Sequence, residues 1–180
     1  MSKAICVFCG SRTGRGDAYV RLASAVAARC AAEGFGIVYG GGRVGLMGVV
    51  ADTALAAGGR VVGVIPATLA TKEIAHDGLS DLHVVASMHE RKALMSDLAD
   101  AFVALPGGFG TMDELCEIVT WAQLRIHTKP VVLLNADGYY DDLLALFDNM
   151  VREGFVTTEN RRLMQSVSTV DALFELLNAS

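Results

Sequence analysis

The 180-residue sequence holds no cluster of lysine or arginine and no apolar run long enough to cross a bilayer. Its longest stretch without a charged side chain, Ala101 to Met112, is broken by proline and glycine. A net charge of −5 gives no electrostatic footprint for nucleic acid, so neither nucleic acid nor a membrane is expected as partner. The short apolar run Ala4 to Cys9 carries no secretory cleavage pattern, and a cytoplasmic protein is expected. Charge is sparse throughout: 19% of residues are charged against 52% hydrophobic. That excess points to surface hidden in an oligomer.

Cysteine and histidine are present but not arranged for metal or redox chemistry. Cys6-x-x-Cys9 falls in a run that reads as a strand, where residues three apart point to opposite faces. There is no second pair to complete a zinc set, and His76, His83, His89 and His127 form no ligand-spaced pair. Cys6, Cys9, Cys30 and Cys116 are therefore expected as buried structural thiols, and no metal is expected. No Walker loop occurs. Gly40-Gly41-Gly42-Arg43-Val44-Gly45 matches G-x-G-x-x-G, but no Asp or Glu lies between Asp52 and Glu73 to hold a dinucleotide ribose. No cofactor is expected.

What is there is an alternation of short apolar runs with longer helical periods. Ala4–Cys9, Ile37–Tyr39, Arg60–Ile65, Leu82–Val85, Ala101–Leu105, Val131–Asn135 and Ser166–Ser168 read as strands. Asp17–Glu33, Val44–Ala57, Met88–Leu98, Met112–Ile126, Tyr140–Glu153 and Val170–Asn178 read as helices. The strands are apolar without alternation, as a sheet covered on both faces requires. This predicts an α/β fold, a Rossmann-like doubly wound parallel sheet of about seven strands, with residues 1–180 as a single nucleotide-binding domain. Ligands of such folds bind beyond the carboxyl ends of the strands. Three glycine turns fall there: Gly10-Ser11, Gly40-Gly41-Gly42, and Gly107-Gly108 with Gly110.

The run Pro106-Gly107-Gly108-Phe109-Gly110-Thr111-Met112-Asp113-Glu114 is the sharpest of the three. Proline stops the strand, the glycines free successive N–H groups, and Thr111 is expected to open a helix. Together they make a nest of donors at a helix N-terminus, suited to phosphate. Thr111-x-x-Glu114 is equally the spacing of a capping box. A cap has no use for three glycines and a proline, which favours a ligand. A second capping box, Ser87-x-x-Glu90, opens the helix that carries Arg91 and Lys92. Arg91 shares the apolar face with Leu94, Met95 and Leu98, so it needs an anion: Asp97, Asp100 or a ligand. Lys92 is expected to face solvent. Ile118, Trp121 and Arg125 share a face with Glu114, which suits either an interface or the core.

These motifs taken together resemble the LONELY GUY (LOG) family. The matching residues are Gly40-Gly41-Gly42-x-x-Gly45-Leu46-Met47-Gly48, Val64-Ile65-Pro66, Glu90-Arg91-Lys92 and Pro106-Gly107-Gly108-x-Gly110-Thr111-x-x-Glu114. The resemblance runs from the first strand to about Pro130. It implies a hydrolase that cleaves the N-glycosidic bond of N6-modified adenosine 5′-monophosphates, and AMP itself, to free base and ribose 5-phosphate. It implies Arg91 and Glu114 as the catalytic pair. It implies substrate binding by Ser11, Gly42, Met88, Arg91, Lys92, Gly107, Gly108, Gly110, Thr111 and Glu114. The face with Ile118, Trp121 and Arg125 leads to the expectation of a homodimer whose partner helps complete the base pocket. The family is also labelled lysine decarboxylase, which would require a pyridoxal-phosphate lysine. Among Lys3, Lys72, Lys92 and Lys129 only Lys92 is a candidate. The competing readings are a nucleotide or cofactor carrier with the same cradle and, behind it, a dinucleotide oxidoreductase.

Overall fold

A computed structural model describes residues 3–71 and 74–179, so Lys72 and Glu73 lie outside the described residues. Seven strands form one parallel sheet: β1 (Ala4–Phe8), β2 (Gly36–Tyr39), β3 (Val61–Pro66), β4 (Asp81–Val85), β5 (Ala101–Ala104), β6 (Val131–Leu134) and β7 (Met164–Val167). Their order is β4-β3-β2-β1-β5-β6-β7, so the winding reverses between β1 and β5. In the register Ile5 lies beside both Ile37 and Ala101. At the reversal Gly10 N–H donates to the Pro106 carbonyl at 3.2 Å, and the two neighbouring loops diverge to opposite faces. That is the topological switch point where such sheets hold ligands.

Helices cover both faces of the sheet, because each inner strand is apolar on both sides. One face is packed by α1 (Ala18–Ala32), α2 (Gly45–Ala56) and α7 (Val170–Asn178), through residues such as Ala27, Val50 and Phe174. The other is packed by α3 (Met88–Leu98), α4 (Phe109–Gln123) and α5 (Asp141–Arg152), through Met95, Leu115 and Ile118. Cys6 lies in the second core and Cys9 in the first, so the Cys-x-x-Cys pair does straddle the sheet. Cys116 departs from expectation: it is exposed on the outer side of α4. β4 also departs. It is the sheet edge, exposed from Asp81 to Val84, so the two-sided cover stops one strand short.

Two helix boundaries moved for clear reasons. The helix expected from Met112 starts at Phe109, because Gly108 takes the N-cap position and its carbonyl already accepts from Met112 N–H at 3.1 Å. The same helix stops at Gln123 rather than Ile126. Arg125 takes a left-handed conformation (φ 61°), and the Arg125 and Ile126 N–H groups turn back to the Ala122 and Trp121 carbonyls. Arg125 is therefore outside the helix and does not share the Glu114 face, while Ile118 is core and Trp121 packs half-buried against it. A short helix, α6 (Thr158–Arg161), was not foreseen; Thr157 caps it by accepting from Asn160 N–H.

Candidate functional site

The loop leaving β5 opens α4 without a side-chain cap. Gly108 offers no side-chain cap to α4, so the first N–H groups of the helix have neither an intrahelical acceptor nor a capping oxygen. The Thr111–Glu114 capping box does not form. Thr111 is the third residue of the helix, not its cap, and its hydroxyl is buried without a hydrogen-bond partner. It points back at Gly107, where a Cβ would come within 2.0 Å of Thr111 Oγ1. Around Gly108 and Gly110, by contrast, a Cβ would meet nothing within 4 Å. The start of α4, the positive end of its dipole, thus borders open space at Gly108 and Gly110.

Two tyrosines outside any sequence motif orient this loop. Tyr139 Oη donates to the Gly107 carbonyl and Tyr140 Oη to the Leu105 carbonyl, each at 2.6 Å. In a trans peptide C=O and N–H point opposite ways, so holding Gly107 O toward Tyr139 turns the Gly108 N–H away from it. The edge of Tyr19 packs on Tyr139 with ring centroids 5.5 Å apart. These two rings, with Ser11, Arg12, Thr13, Leu46, Gly107 and Gly108, line a cavity of about 350 Å³ at the switch point. Their only signal in the sequence was position, a Tyr-Tyr pair following Gly138 and a Tyr opening the first helix.

Arg91 and Glu114 meet on the other side of the sheet plane. Arg91 Nη1 lies 3.2 Å from Glu114 Oε1, and both side chains are about nine-tenths buried. The anion that Arg91 required is thus neither Asp97 nor Asp100; Asp100 instead accepts the Ala4 N–H. Arg91 Nε donates to the Val64 carbonyl at 3.0 Å, and Nη1 lies 3.9 Å from Met88 Sδ. A Cβ at Gly40 would sit 2.0 Å from Arg91 Nη2, so the second glycine loop is what lets the guanidinium in. Burial pushes the Glu114 carboxyl up to about 7 against the pull of Arg91, with Asp113 and Glu117 adding to the rise and Lys92 opposing it. A carboxyl poised near neutrality in a polar pair can both hold charge and accept a proton.

The remaining expected residues divide. Ser11, Gly107 and Gly108 border the cavity together, and Met88 is exposed beside Arg91. Gly42 instead packs on Met47 and bridges to Ala75, under a segment tied down by Arg43 N–H to the Ile74 carbonyl and His76 N–H to the Gly41 carbonyl. Lys92 is not solvent-facing. Its side chain is 12% exposed, and Nζ donates to Asp113 Oδ2 and lies 3.0 Å from Glu117 Oε2. Ser87 Oγ accepts from Glu90 N–H as expected, but Glu90 reaches back to Ala86 N–H rather than to Ser87.

Comparison with known proteins bears on this arrangement. A family model described as possible lysine decarboxylase matches residues 47–177. The decarboxylase label finds little support, since Lys92 is bound by two carboxylates and Lys129 Nζ donates to the Ser96 carbonyl. A probable cytokinin riboside 5′-monophosphate phosphoribohydrolase of Oryza sativa subsp. japonica is 51% identical over 173 residues, covering 94% of this chain and 76% of that one. A cytokinin riboside 5′-monophosphate phosphoribohydrolase of Arabidopsis thaliana is 47% identical over 175 residues, covering 97% and 82%. Among solved structures, the molybdenum cofactor binding protein of Rippkaea orientalis superposes with a TM-score of 0.75 over 99% of this chain and 97% of its own. At 22% identity that match speaks for the fold alone. With a family model spanning most of the sequence and curated relatives half identical along nearly all of it, the chain belongs to the LONELY GUY family.

Proposed function

We propose that the protein is a phosphoribohydrolase acting on N6-modified adenosine 5′-monophosphates and on AMP. The observation that carries this reading is the buried Arg91–Glu114 pair, with its carboxylate on the same helix that the open glycine loop starts. A carrier needs the cradle but has no use for a near-neutral carboxyl next to it. Hydrolysis breaks the bond between C1′ and the base nitrogen, a water oxygen bonds to C1′, and the base leaves with a proton. Positive charge gathers on the ribose as the bond opens, and a neighbouring carboxylate is suited to stabilise it and to take the water's proton. Glu114 fills both parts. Arg91, too basic to be a general acid, supplies fixed positive charge as the base gains electron density.

In this reading the Gly107, Gly108 and Gly110 backbone, the Thr111 hydroxyl and Ser11 hold the phosphate. Gly42 acts only from behind, through its packing on Met47, and Met88 borders the base and ribose. Phe109, at the helix start, is 96% exposed, and Met88 beside Arg91 is 42% exposed. Two bare apolar side chains flanking one site support a homodimer in which the second copy covers them and completes the base pocket. The free thiols support a reducing, cytoplasmic setting.

The deciding experiment follows free base by chromatography from AMP and from isopentenyl-AMP. Release from either is expected. Glu114→Ala is expected to lower turnover by at least about 10³-fold while AMP still binds; turnover near wild type would sink the assignment. Because the carboxylate is the working form, kcat/KM should climb as pH rises through about 7 and level off above it. Stability runs the other way. The folded protein holds the Glu114 proton up to about 7 whereas the unfolded chain loses it near 4.5, so this group's contribution falls as pH rises across that window.

A further inference from the structure

Lys92 stands with the substrate-binding residues by resemblance, yet its ammonium is already occupied. Nζ donates to Asp113 Oδ2 at 3.0 Å and lies 3.0 Å from Glu117 Oε2. Asp113 and Glu117 are one turn apart on α4, where like charges repel, and Glu114 lies between them in sequence. Three carboxylates on two turns of α4 thus confront two cations, Arg91 and Lys92, at the start of α3. Arg91 takes the buried middle carboxylate and Lys92 takes the outer two.

We propose that Lys92 is a positioning residue for Glu114, bridging Asp113 and Glu117 to dock α4 on α3 and screen the reacting carboxylate from its neighbours, without touching substrate. The inference rests on the proposed hydrolase reading only for its kinetic consequence. The charged and titratable groups around Glu114 are Arg91 and Lys92 from α3, Asp113 and Glu117 from α4, and the Cys6 and Cys9 thiols from β1. Burial holds both thiols far above their ordinary range, so they stay neutral and leave the field to the other four. Burial also disfavours the Lys92 ammonium, but its bonds to Asp113 and Glu117 outweigh that and the net shift is upward, so the charge persists. Removing it acts twice in one direction: a cation is lost, and two anions beside Glu114 are bared.

The test is a carbon-13 NMR titration of the Glu114 side-chain carboxyl in the full-length protein without substrate. Lys92→Met should raise the Glu114 midpoint by about one pH unit. Lys92→Arg should restore it, and Asp113→Asn with Glu117→Gln should lower it below wild type. The pH profile of base release from AMP should move with the NMR midpoint, while KM for AMP in Lys92→Met stays within about twofold. An unmoved Glu114 midpoint together with a tenfold rise in KM would overturn the proposal and return Lys92 to the substrate. Should Lys92→Met fail to fold, the Asp113→Asn, Glu117→Gln double variant decides alone: a midpoint that does not fall overturns the proposal. Absence of base release from wild type would remove the hydrolase reading but leave the NMR comparison able to decide the role of Lys92.

Discussion

The glycine loop after β2 and the one after β5 have similar composition and sit near each other on the same rim, but their surroundings are opposite. In the first, an added Cβ always meets protein: Arg91 at Gly40, Met47 at Gly42, and the Ser11 backbone at Gly45, where the contact would be 2.2 Å. In the second, Gly107 fits against Thr111, but Gly108 and Gly110 look into empty space. One loop is glycine-rich because other parts of the chain come close to it. The other has close protein neighbours only at Gly107; at Gly108 and Gly110 nothing in the chain requires glycine, which suits a loop shaped for a ligand.

The contrast can be broken at Gly45 first, where the largest effect is expected. A side chain there meets backbone and sits at φ +60°, so Gly45→Ala should cost about 4 kcal/mol or more by urea denaturation, or prevent folding. A loss under about 1 kcal/mol would mean the close approach is not fixed. Gly40→Ala should separate packing from chemistry. The atom it displaces is the flexible end of Arg91, so the fold should survive while base release falls roughly 100-fold. Gly108→Ala should leave stability within about 1 kcal/mol yet raise KM for AMP about tenfold, because only the ligand is crowded. Equal stability losses at Gly108 and Gly45 would erase the distinction. The smallest effect isolates backbone conformation from contact: Arg125, left-handed at φ 61°, should gain about 1 kcal/mol when changed to glycine.

The comparison also separates what the sequence makes legible from what it does not. Apolar runs located the inner strands to within two residues, because a strand buried on both faces has no room for polarity. The exception, β4, reads as apolar yet lies at the edge; edge position is set by strand order, which no local pattern encodes. The open loop after β5 was legible because three of its four residues from 107 to 110 are glycine. Its inner geometry was not, since the i to i+3 spacing of Thr111 and Glu114 is the same in a cap and one turn inside a helix. Arg91 was recognisable as a buried cation in need of an anion, but its partner is 23 positions away on a different helix. Tyr19 and Tyr139 could not have been singled out. Their hydroxyls and rings act through folded contacts, one on a carbonyl 32 residues distant.

The position of Glu114 on the same helix that starts at the phosphate cradle has a consequence of scale. Gly108 and Glu114 are six positions apart in one unbroken helix, about 9 Å along its axis at ~1.5 Å per residue. A helix packed against the sheet does not stretch, so the interval between its first N–H groups and the Glu114 carboxyl is a fixed length. Under the proposed activity the helix serves as a gauge. A nucleoside without phosphate has nothing to register against its zero mark, and a diphosphate sets the sugar one phosphate too far along. Selection for a monophosphate then comes from measured distance, before any contact with the base is made.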